Sequence, residues 1–229
     1  MLQVEDRPPA AKTARVFVGL KVMPEIAQEL AQLARGLERF PTRFVPSEDI
    51  HLTLVPPWDE SSIPDAIEKL REALRGSAPF MLTFTRLSYW PDRRHTRLLC
   101  AECVTTPEIK VLQSALLNAF GQTEDRPFEP HVTLARMQRG GRAAVRKNEM
   151  DLELSLSQSI DSVELFQSRT QVGKGYQILA SLALPAPRRK WRDILGHSLI
   201  RIRGMWGGWH PGKAKKFKIR RLQNVATVD

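Results

Sequence analysis

HLTL at residues 51–54 returns as HVTL at residues 131–134, and this repeat decides how the chain is interpreted. Each copy follows a short stretch that contains proline, VPSEDI before the first and FEP before the second. Side chains two positions apart on a β-strand project from the same face, so the His and Thr of each copy point together while the apolar residues point into a core. The repeat therefore predicts two strands that each present one His-Thr pair to a shared cleft.

The segments around the two copies repeat as well, because each half contains a helix before its His-Thr strand and a helix and two strands after it. The first half reads as a strand in ARVFVGLKV, an amphipathic helix in MPEIAQELAQLARGLERF, the HLTL strand, a helix in SSIPDAIEKLREALRG, and strands in PFMLTFTRLSYW and HTRLLCAECV. The second reads as a helix in TPEIKVLQSALLNAFG, the HVTL strand, a short helix in GGRAAVRKNEM, and strands in SIDSVELFQSR and YQILASLALP. The opening strand of the second half has a weak signal in the sequence, or it is supplied by strand exchange.

The expected fold class is α+β, in which a duplicated bilobal unit places two mostly antiparallel sheets across a central cleft with helices on the outside. Capping residues support the helices. Ser61 or Ser62 is expected to open the helix of the first half, and Thr105 or Thr106 the first helix of the second, which ends at Gly121.

Charge and composition divide the chain unevenly. It has 229 residues, 42% of them hydrophobic, and a formal net charge of +10. The excess of basic residues lies wholly after residue 187, where only two acidic residues occur. We therefore divide the chain into a lead at 1–13, one domain of two pseudo-symmetric lobes at 14–187, and a basic, Trp-containing extension at 188–229.

No stretch of the sequence approaches the ~20 consecutive apolar residues of a membrane-spanning helix, and the first residues lack the apolar segment of a secretory signal. A cytoplasmic monomer is the expectation. Cys100 and Cys103 have the spacing of half a zinc site, but three residues apart on a strand they point to opposite faces, so a structural role is expected and no metal site is predicted.

Two histidines that share a cleft supply an acid and a base near neutral pH without a metal or an organic cofactor. A strained cyclic phosphodiester uses this set well, since His51 and His131 can move protons at the attacking and leaving oxygens while Thr53 and Thr133 bind the free oxygens. A single His-x-Thr strand is more often a solvent-facing pair. Two copies in matched surroundings favour catalysis.

These residues resemble the signatures of a known family. HLTL and HVTLAR are similar to the two motifs of the 2H phosphoesterase superfamily, in particular its RNA 2′,3′-cyclic phosphodiesterase branch, also called 2′-5′ RNA ligase. The similarity extends to RVFVGLKV, LSYWPDRRHTRLLCAE and SVELFQSRTQVGKGYQIL, and so covers about residues 14–184. The resemblance implies a bilobal α+β fold, no cofactor, and hydrolysis of RNA 2′,3′-cyclic phosphate ends to 2′-phosphomonoesters, with weak reversible 2′-5′ ligation.

The resemblance also implies roles for individual residues. His51 matches the proton donor to the leaving 3′ oxygen, His131 the acceptor that activates water, and Thr53 and Thr133 the phosphate-binding hydroxyls. The two histidines could exchange roles if the substrate bound in the reverse direction.

Three further residues are candidates for substrate contact. Arg136 matches an arginine of the family, although strand alternation is expected to turn it away from the face that carries His131. Tyr176 could border the nucleotide or act as a core aromatic. Trp58 follows the first motif in VPPW, where the family usually has an aromatic, a Leu and a Gly, and offers a surface for base stacking.

The extension at 188–229 interleaves Lys and Arg with Trp191, Trp206, Trp209 and Phe217, a composition suited to RNA contact. A basic amphipathic helix and a tail that packs on the body are the alternatives. For the whole protein two other functions stay open: a phosphodiesterase for small cyclic nucleotides such as ADP-ribose cyclic phosphate, and a non-catalytic RNA-binding module.

Overall fold

The computed structural model describes residues 13–91, 96–124, 126–138, 151–168 and 175–185. Within these ranges the chain forms three α-helices and nine β-strands, which confirms the predicted α+β class. The helices are α1 Pro24–Ala34, α2 Ile63–Ala73 and α3 Pro107–Phe120. The strands are β1 Ala14–Lys21, β2 Thr42–Phe44, β3 His51–Glu60, β4 Phe80–Trp90, β5 Leu98–Cys103, β6 His131–Met137, β7 Leu152–Ile160, β8 Ser162–Ser168 and β9 Tyr176–Ala183.

The helix ends follow the capping residues. Ser62 precedes α2 and its hydroxyl accepts a hydrogen bond from the backbone N–H of Asp65. Thr106 does the same for Ile109 at the start of α3, and α3 ends at Gly121, whose φ of +60° is a left-handed conformation that suits glycine. None of the helices in the described ranges is long and apolar enough to cross a membrane.

The nine strands form one continuous sheet in the order β7-β4-β5-β6-β3-β1-β8-β9, with β2 added to the side of β6. The two expected sheets are thus joined, which corrects the prediction of two separate sheets. The joint between β3 and β6 is narrow, because only Leu52 and Val132 are paired there. Farther along β6 its partner is β2, where Phe44 lies opposite Ala135.

We call the strands β3, β1, β8 and β9 the His51 half of the sheet, and β6, β5, β4, β7 and β2 the His131 half. These halves are not the two halves of the sequence, because the hairpins are exchanged. The β4–β5 hairpin, which follows the first motif in the chain, pairs with β6. The β8–β9 hairpin, which follows the second motif, pairs with β1. The exchange suits β8, whose four consecutive buried residues require an interior position in the sheet.

Two strands of the sheet were not predicted from the sequence. β2 has three residues, which is too short for a periodic signal. β7 does carry one, since Leu152, Leu154 and Leu156 alternate with polar residues in the manner of a partly buried strand. The helix predicted at 140–150 lies outside the described residues.

The core fills the space between the helices and one face of the sheet. On β1 it receives Val16, Val18 and Leu20, which alternate with residues of the opposite face. The helices contribute their apolar sides, represented by Leu30 of α1 and Leu70 of α2. The opposite face of β3 and β6 is left for the two motifs.

Candidate active site

The two His-Thr pairs lie side by side on one face of the sheet. Leu52 lies opposite Val132 in an antiparallel pair. Extending this register by one residue in each direction sets His51 opposite Thr133 and Thr53 opposite His131. The four side chains therefore occupy the corners of a square, with the histidines on one diagonal and the threonines on the other. Diagonal neighbours in such a pair are about 7–8 Å apart. A pseudo-twofold axis passes between the paired apolar residues and exchanges the two motifs.

This arrangement refines the expected geometry. The histidines were expected on two sheets that face each other across a cleft, and they instead stand on adjacent strands of one sheet. Each histidine is matched across the strands with the threonine of the other motif, which sequence spacing cannot reveal. In agreement with this pairing, Thr53 and His131 line the same cavity, which has a volume of about 110 Å³.

Both imidazole rings are held in the same way. The Nδ1 atom of His51 lies 2.7 Å from the carbonyl oxygen of Asp49, and Nδ1 of His131 lies 2.7 Å from the carbonyl oxygen of Glu129. A carbonyl can only accept a hydrogen bond, so Nδ1 carries a proton and donates it in both rings. In each histidine Nε2 is therefore the atom that can exchange a proton with a ligand.

Aromatic rings surround His51. The ring centroid of Phe17 lies 4.8 Å from that of His51, and Phe166 lies 5.4 Å away. Tyr176 approaches edge-on at 4.7 Å. Beside these rings opens a cavity of about 270 Å³, lined also by Lys21. The structure thus places Tyr176 next to His51 at the edge of this cavity.

Burial lowers the pKa of His51 below its ordinary value of 6.5, and the positive charge of Arg136 acts in the same direction. The carbonyl and the carboxylate of Asp49 act against this shift, but the lowering prevails. In the free protein His51 is therefore more often neutral near neutral pH than an exposed histidine.

We expect His51 to make the protein less stable in acid. Its folded pKa lies below the unfolded value of 6.5, so the unfolded chain binds more protons between the two values. The free energy of unfolding should then be highest above pH 6.5 and fall as the pH drops through this value toward the folded pKa. Urea unfolding at a series of pH values, for the parent and for His51→Gln, measures the effect.

The parent should lose more stability on acidification than His51→Gln, because the variant lacks the titrating ring. An NMR titration of the His51 ring gives the folded pKa directly. A midpoint at or above 6.5 in the folded protein would contradict the expected direction.

His131 has different surroundings. The indole of Trp90, at the end of β4, stacks on its ring with a centroid distance of 5.2 Å and an angle of 21° between the planes. Trp90, Pro56 and Arg126 line the small cavity beside His131. The two histidines thus share their hydrogen bonding but differ in their contacts, since three aromatic rings surround one and an indole covers the other.

Each of the two motifs ends in a β-bulge. On β3, Gly19 of β1 lies opposite Thr53 and Val18 lies opposite Val55, so Leu54 is an extra residue. On β6, Leu134 is the extra residue between Thr133 and Ala135. The fourth residue of each motif is therefore the bulge, and each bulge shifts the in-out alternation of its strand by one position.

The bulge in β6 moves Arg136 onto the face that carries the histidines. Leu134 and Ala135 are both buried, whereas Arg136 is exposed. Its charge acts on His51 and on the thiol of Cys100, both of which belong to this face. The expectation that Arg136 points away from this face is wrong, because it assumed uninterrupted alternation.

A second bulge, in β3, turns Trp58 away from the face that carries the histidines. Between Val55 and Trp58 the strand contains two prolines against one residue of β1, so alternation shifts again. Trp58 lies opposite the buried Val16, its ring contacts Phe120 of α3 at 4.7 Å, and its Nε1 donates to a Glu60 oxygen at 3.0 Å. The structure therefore places Trp58 on the helix-covered face, apart from the two histidines.

The two cysteines are free and buried. Cys100 pairs with Thr133 across the strands, and its thiol is hydrogen-bonded to the Thr133 hydroxyl. Burial raises the pKa of Cys100 to about 12 and also raises that of Cys103. Neither thiol therefore ionises readily near neutral pH. In the described ranges no group of three or more His, Cys, Asp or Glu residues is placed to hold a metal ion.

Three residues of this site were not predicted individually. Phe17 alternates with the core residues of β1 and so projects onto the site face. Phe166 stacks on Phe17 at 4.8 Å. It follows Leu165 directly in β8, and two adjacent apolar residues do not show which of them faces the site. Trp90 had a signal, since it stands at the end of a strand directly before Pro91.

Comparison with known proteins identifies the family. A family model described as the 2′-5′ RNA ligase superfamily matches residues 45–171, a range that contains both motifs. A Bacillus subtilis (strain 168) protein named RNA 2′,3′-cyclic phosphodiesterase is 32% identical over 128 residues, which are 52% of this chain and 69% of that protein.

Solved structures share the fold. A Thermus thermophilus protein superimposes with a TM-score of 0.62 at 22% identity, covering 76% of this chain and 99% of the other. Escherichia coli LigT, solved with 3′-AMP, superimposes with a TM-score of 0.58 at 20% identity and the same coverage. The resemblance to the 2H phosphoesterases is thereby confirmed. Because the family match spans more than half of the chain and includes both His-x-Thr strands, the chain belongs to the 2′-5′ RNA ligase superfamily.

Proposed function

We propose that this protein hydrolyses RNA 2′,3′-cyclic phosphodiester ends to 2′-phosphomonoesters without a metal ion. The observation that carries the proposal is the square of His51, Thr53, His131 and Thr133 on one sheet face, with both Nδ1 atoms tied to backbone carbonyls. In the proposed complex the phosphorus atom lies between the two motifs, with the Nε2 atom of one histidine on each side of it. The name of the Bacillus subtilis relative supports the same reaction.

The chemistry needs one acid and one base. His131 accepts a proton from water at Nε2, and the water oxygen bonds to phosphorus. The bond from phosphorus to the 3′ oxygen breaks, and His51 gives the proton at its Nε2 to that oxygen. The 2′ bond stays intact, so the product is a 2′-phosphomonoester. Attack and departure lie roughly in line at phosphorus, and the diagonal placement of the histidines supports that arrangement.

The two threonines and Arg136 stabilise the negative charge of the phosphate. Thr53 and Thr133 stand on the other diagonal, where their hydroxyls can donate to the two non-bridging oxygens. Arg136 adds a positive charge on the same face. A guanidinium near a phosphate that gains charge in the transition state is stabilising. Tyr176, beside His51, borders the space where the nucleotide would lie.

The assignment of His51 as the acid requires a proton on a ring whose pKa is lowered in the free protein. The cyclic phosphodiester is an anion, and a negative charge close to an imidazole favours its protonated form. We therefore propose that His51 gains its proton as the substrate binds. The roles of the two histidines would be exchanged for a substrate bound in the reverse direction.

The same site supports weak ligation. If an RNA 5′-hydroxyl takes the place of water, His131 removes its proton and a 2′-5′ phosphodiester forms as the 3′ oxygen leaves. Water competes at its full concentration, so hydrolysis should dominate. We further propose a cytoplasmic monomer that acts without a cofactor, and contact between RNA and the basic extension at 188–229.

An oligonucleotide that ends in a 2′,3′-cyclic phosphate tests the reaction in the presence of EDTA. We expect a 2′-phosphate product, identified by its chromatographic separation from the 3′ isomer, at a rate that EDTA does not change. Parallel reactions with a cyclic mononucleotide and with ADP-ribose cyclic phosphate establish the substrate class. A 3′-phosphate product, or a rate abolished by EDTA, would contradict the proposed mechanism. Binding of RNA without turnover would favour the non-catalytic module.

A further inference from the structure

Asp49 is hydrogen-bonded both to His51 and to Tyr176, the first residue of β9. It ends the short 3-10 turn Ser47–Asp49 that leads into β3. Its carbonyl oxygen accepts the Nδ1 proton of His51 at 2.7 Å. Its carboxylate oxygen Oδ1 accepts a hydrogen bond from the backbone N–H of Tyr176 at 3.1 Å. One residue thus links the catalytic ring to a strand that lies far away in the sequence.

Gly175 leaves room for this link. Its φ of +55° is left-handed, and a Cβ atom built there would lie 2.5 Å from Oδ1 and 2.7 Å from Oδ2 of Asp49. Real Cβ atoms essentially never come so close to another atom. The Asp49 carboxylate therefore occupies the space that any other residue at position 175 would need. We call Asp49, Gly175 and the Tyr176 backbone the Asp49 latch.

The latch holds His51 from two sides. The ring of Tyr176 packs edge-on against His51 at 4.7 Å and against Phe17 at 5.0 Å. Fixing the Tyr176 backbone therefore also fixes a wall of the pocket in which the imidazole sits. If the hydrogen bond from the Tyr176 N–H to the Asp49 carboxylate is lost, the Asp49 carbonyl that accepts from Nδ1 and the Tyr176 ring are both free to move.

We propose that Asp49 is a positioning residue, whose carboxylate keeps the Nε2 atom of His51 aimed at the substrate. This inference rests on the proposed function, in which His51 transfers a proton to the leaving oxygen. The carboxylate acts through its hydrogen bond to the Tyr176 N–H rather than through its negative charge.

Three variants separate the hydrogen bond from the charge. Asp49→Ala removes both. Asp49→Asn removes the charge, but its amide oxygen can still accept from the Tyr176 N–H. Gly175→Ala keeps the charge and displaces the carboxylate, and it also places a side chain at a left-handed φ. Asp59→Asn is the matched control, since Asp59 is an exposed carboxylate near the end of β3 opposite to His51, where it forms an ion pair with Arg15.

We expect kcat to fall about 10-fold to 100-fold in Asp49→Ala and Gly175→Ala, with KM nearly unchanged, because a displaced catalytic group costs rate more than binding. Asp49→Asn should stay within about threefold of the parent, since it keeps the bond and loses only a charge near the site. The double variant Asp49→Ala with Gly175→Ala should be no worse than Gly175→Ala alone, because the alanine at position 175 has already broken the link. Asp59→Asn should match the parent.

NMR of the His51 ring tests the latch without any turnover. The Nδ1 proton should exchange with water faster in Asp49→Ala and in Gly175→Ala than in the parent. In Asp49→Asn its exchange rate should equal that of the parent. The His51 pKa should fall in both Asp49 variants, because the carboxylate raises it in the parent. Far-ultraviolet circular dichroism and thermal melting confirm that each variant is folded.

Two results would overturn the latch. Equal loss of rate in Asp49→Asn and Asp49→Ala would show that the charge is what matters. Unaltered Nδ1 proton exchange in Asp49→Ala would show that the carboxylate does not position the ring. If the parent protein hydrolysed no cyclic phosphodiester, the proposed function would fail, while the exchange measurement would still decide whether the latch exists.

Discussion

His131→Ala is expected to lower kcat about 10²-fold to 10⁴-fold on a cyclic phosphodiester, which is the usual contribution of a positioned acid or base. His51→Gln should have a loss in the same range. Only the Nε2 atom of each ring is free to transfer a proton, and neither alanine nor glutamine can take over that transfer. Single-turnover rates with the cyclic-phosphate oligonucleotide measure the loss directly.

Removing both histidines should cost little more than removing one, because residues that act as a unit in one step give non-additive losses. The pH profile adds a second criterion. The parent should show a bell-shaped dependence of kcat/KM on pH, and each single variant should lose one limb. Near-parental turnover in either single variant would exclude the proposed pair. Circular dichroism provides the folding control, which matters most for His51 because its ring packs against Phe17, Phe166 and Tyr176.

Gly19→Ala is expected to have the largest effect on stability. Gly19 of β1 lies opposite Thr53, and a Cβ there would lie 2.5 Å from the carbonyl oxygen of Leu52 and 3.4 Å from a ring carbon of Phe166. The Leu52 backbone belongs to the joint between β3 and β6, so it cannot retreat without moving the first motif. We expect a loss of about 2–4 kcal/mol in the free energy of unfolding, in the range of strained or overpacked core variants.

Gly76→Ala is the matched control. A Cβ at Gly76 meets no atom within 4 Å, so the same substitution should change stability by about 0.5 kcal/mol or less. Urea unfolding of the parent and both variants gives the comparison. Equal midpoints for Gly19→Ala and Gly76→Ala would show that β1 and β3 can separate at this position without cost, and would contradict the expected clash with the Leu52 carbonyl.

Much of the architecture could be predicted from local patterns. Ser62, Thr106 and Gly121 mark helix ends by their own side-chain and backbone chemistry. The alternation in HLTL and HVTL places each His with its Thr on one face, and the structure agrees. The repeat also pointed to the pseudo-twofold relation that the structure shows around Leu52 and Val132.

Predictions that assumed unbroken strands were less successful. Arg136 was expected to face away from the histidines, and a bulge at Leu134 turns it toward them. A second bulge at the two prolines of β3 carries Trp58 to the side covered by α3. A bulge depends on which residues of the neighbouring strand pair with it, and that information is not in the strand itself.

By itself, the sequence determined that two similar strands each present a His-Thr pair, and that helices of defined ends cover the other side. Only the tertiary structure decided that each histidine stands opposite the threonine of the other motif, that the hairpins are exchanged between the halves, and that Asp49 connects His51 to β9. The physical reason is one of range. Periodicity and capping act over a few residues, whereas strand register and side-chain contacts join residues separated by most of the chain, and these set the positions of the reacting atoms.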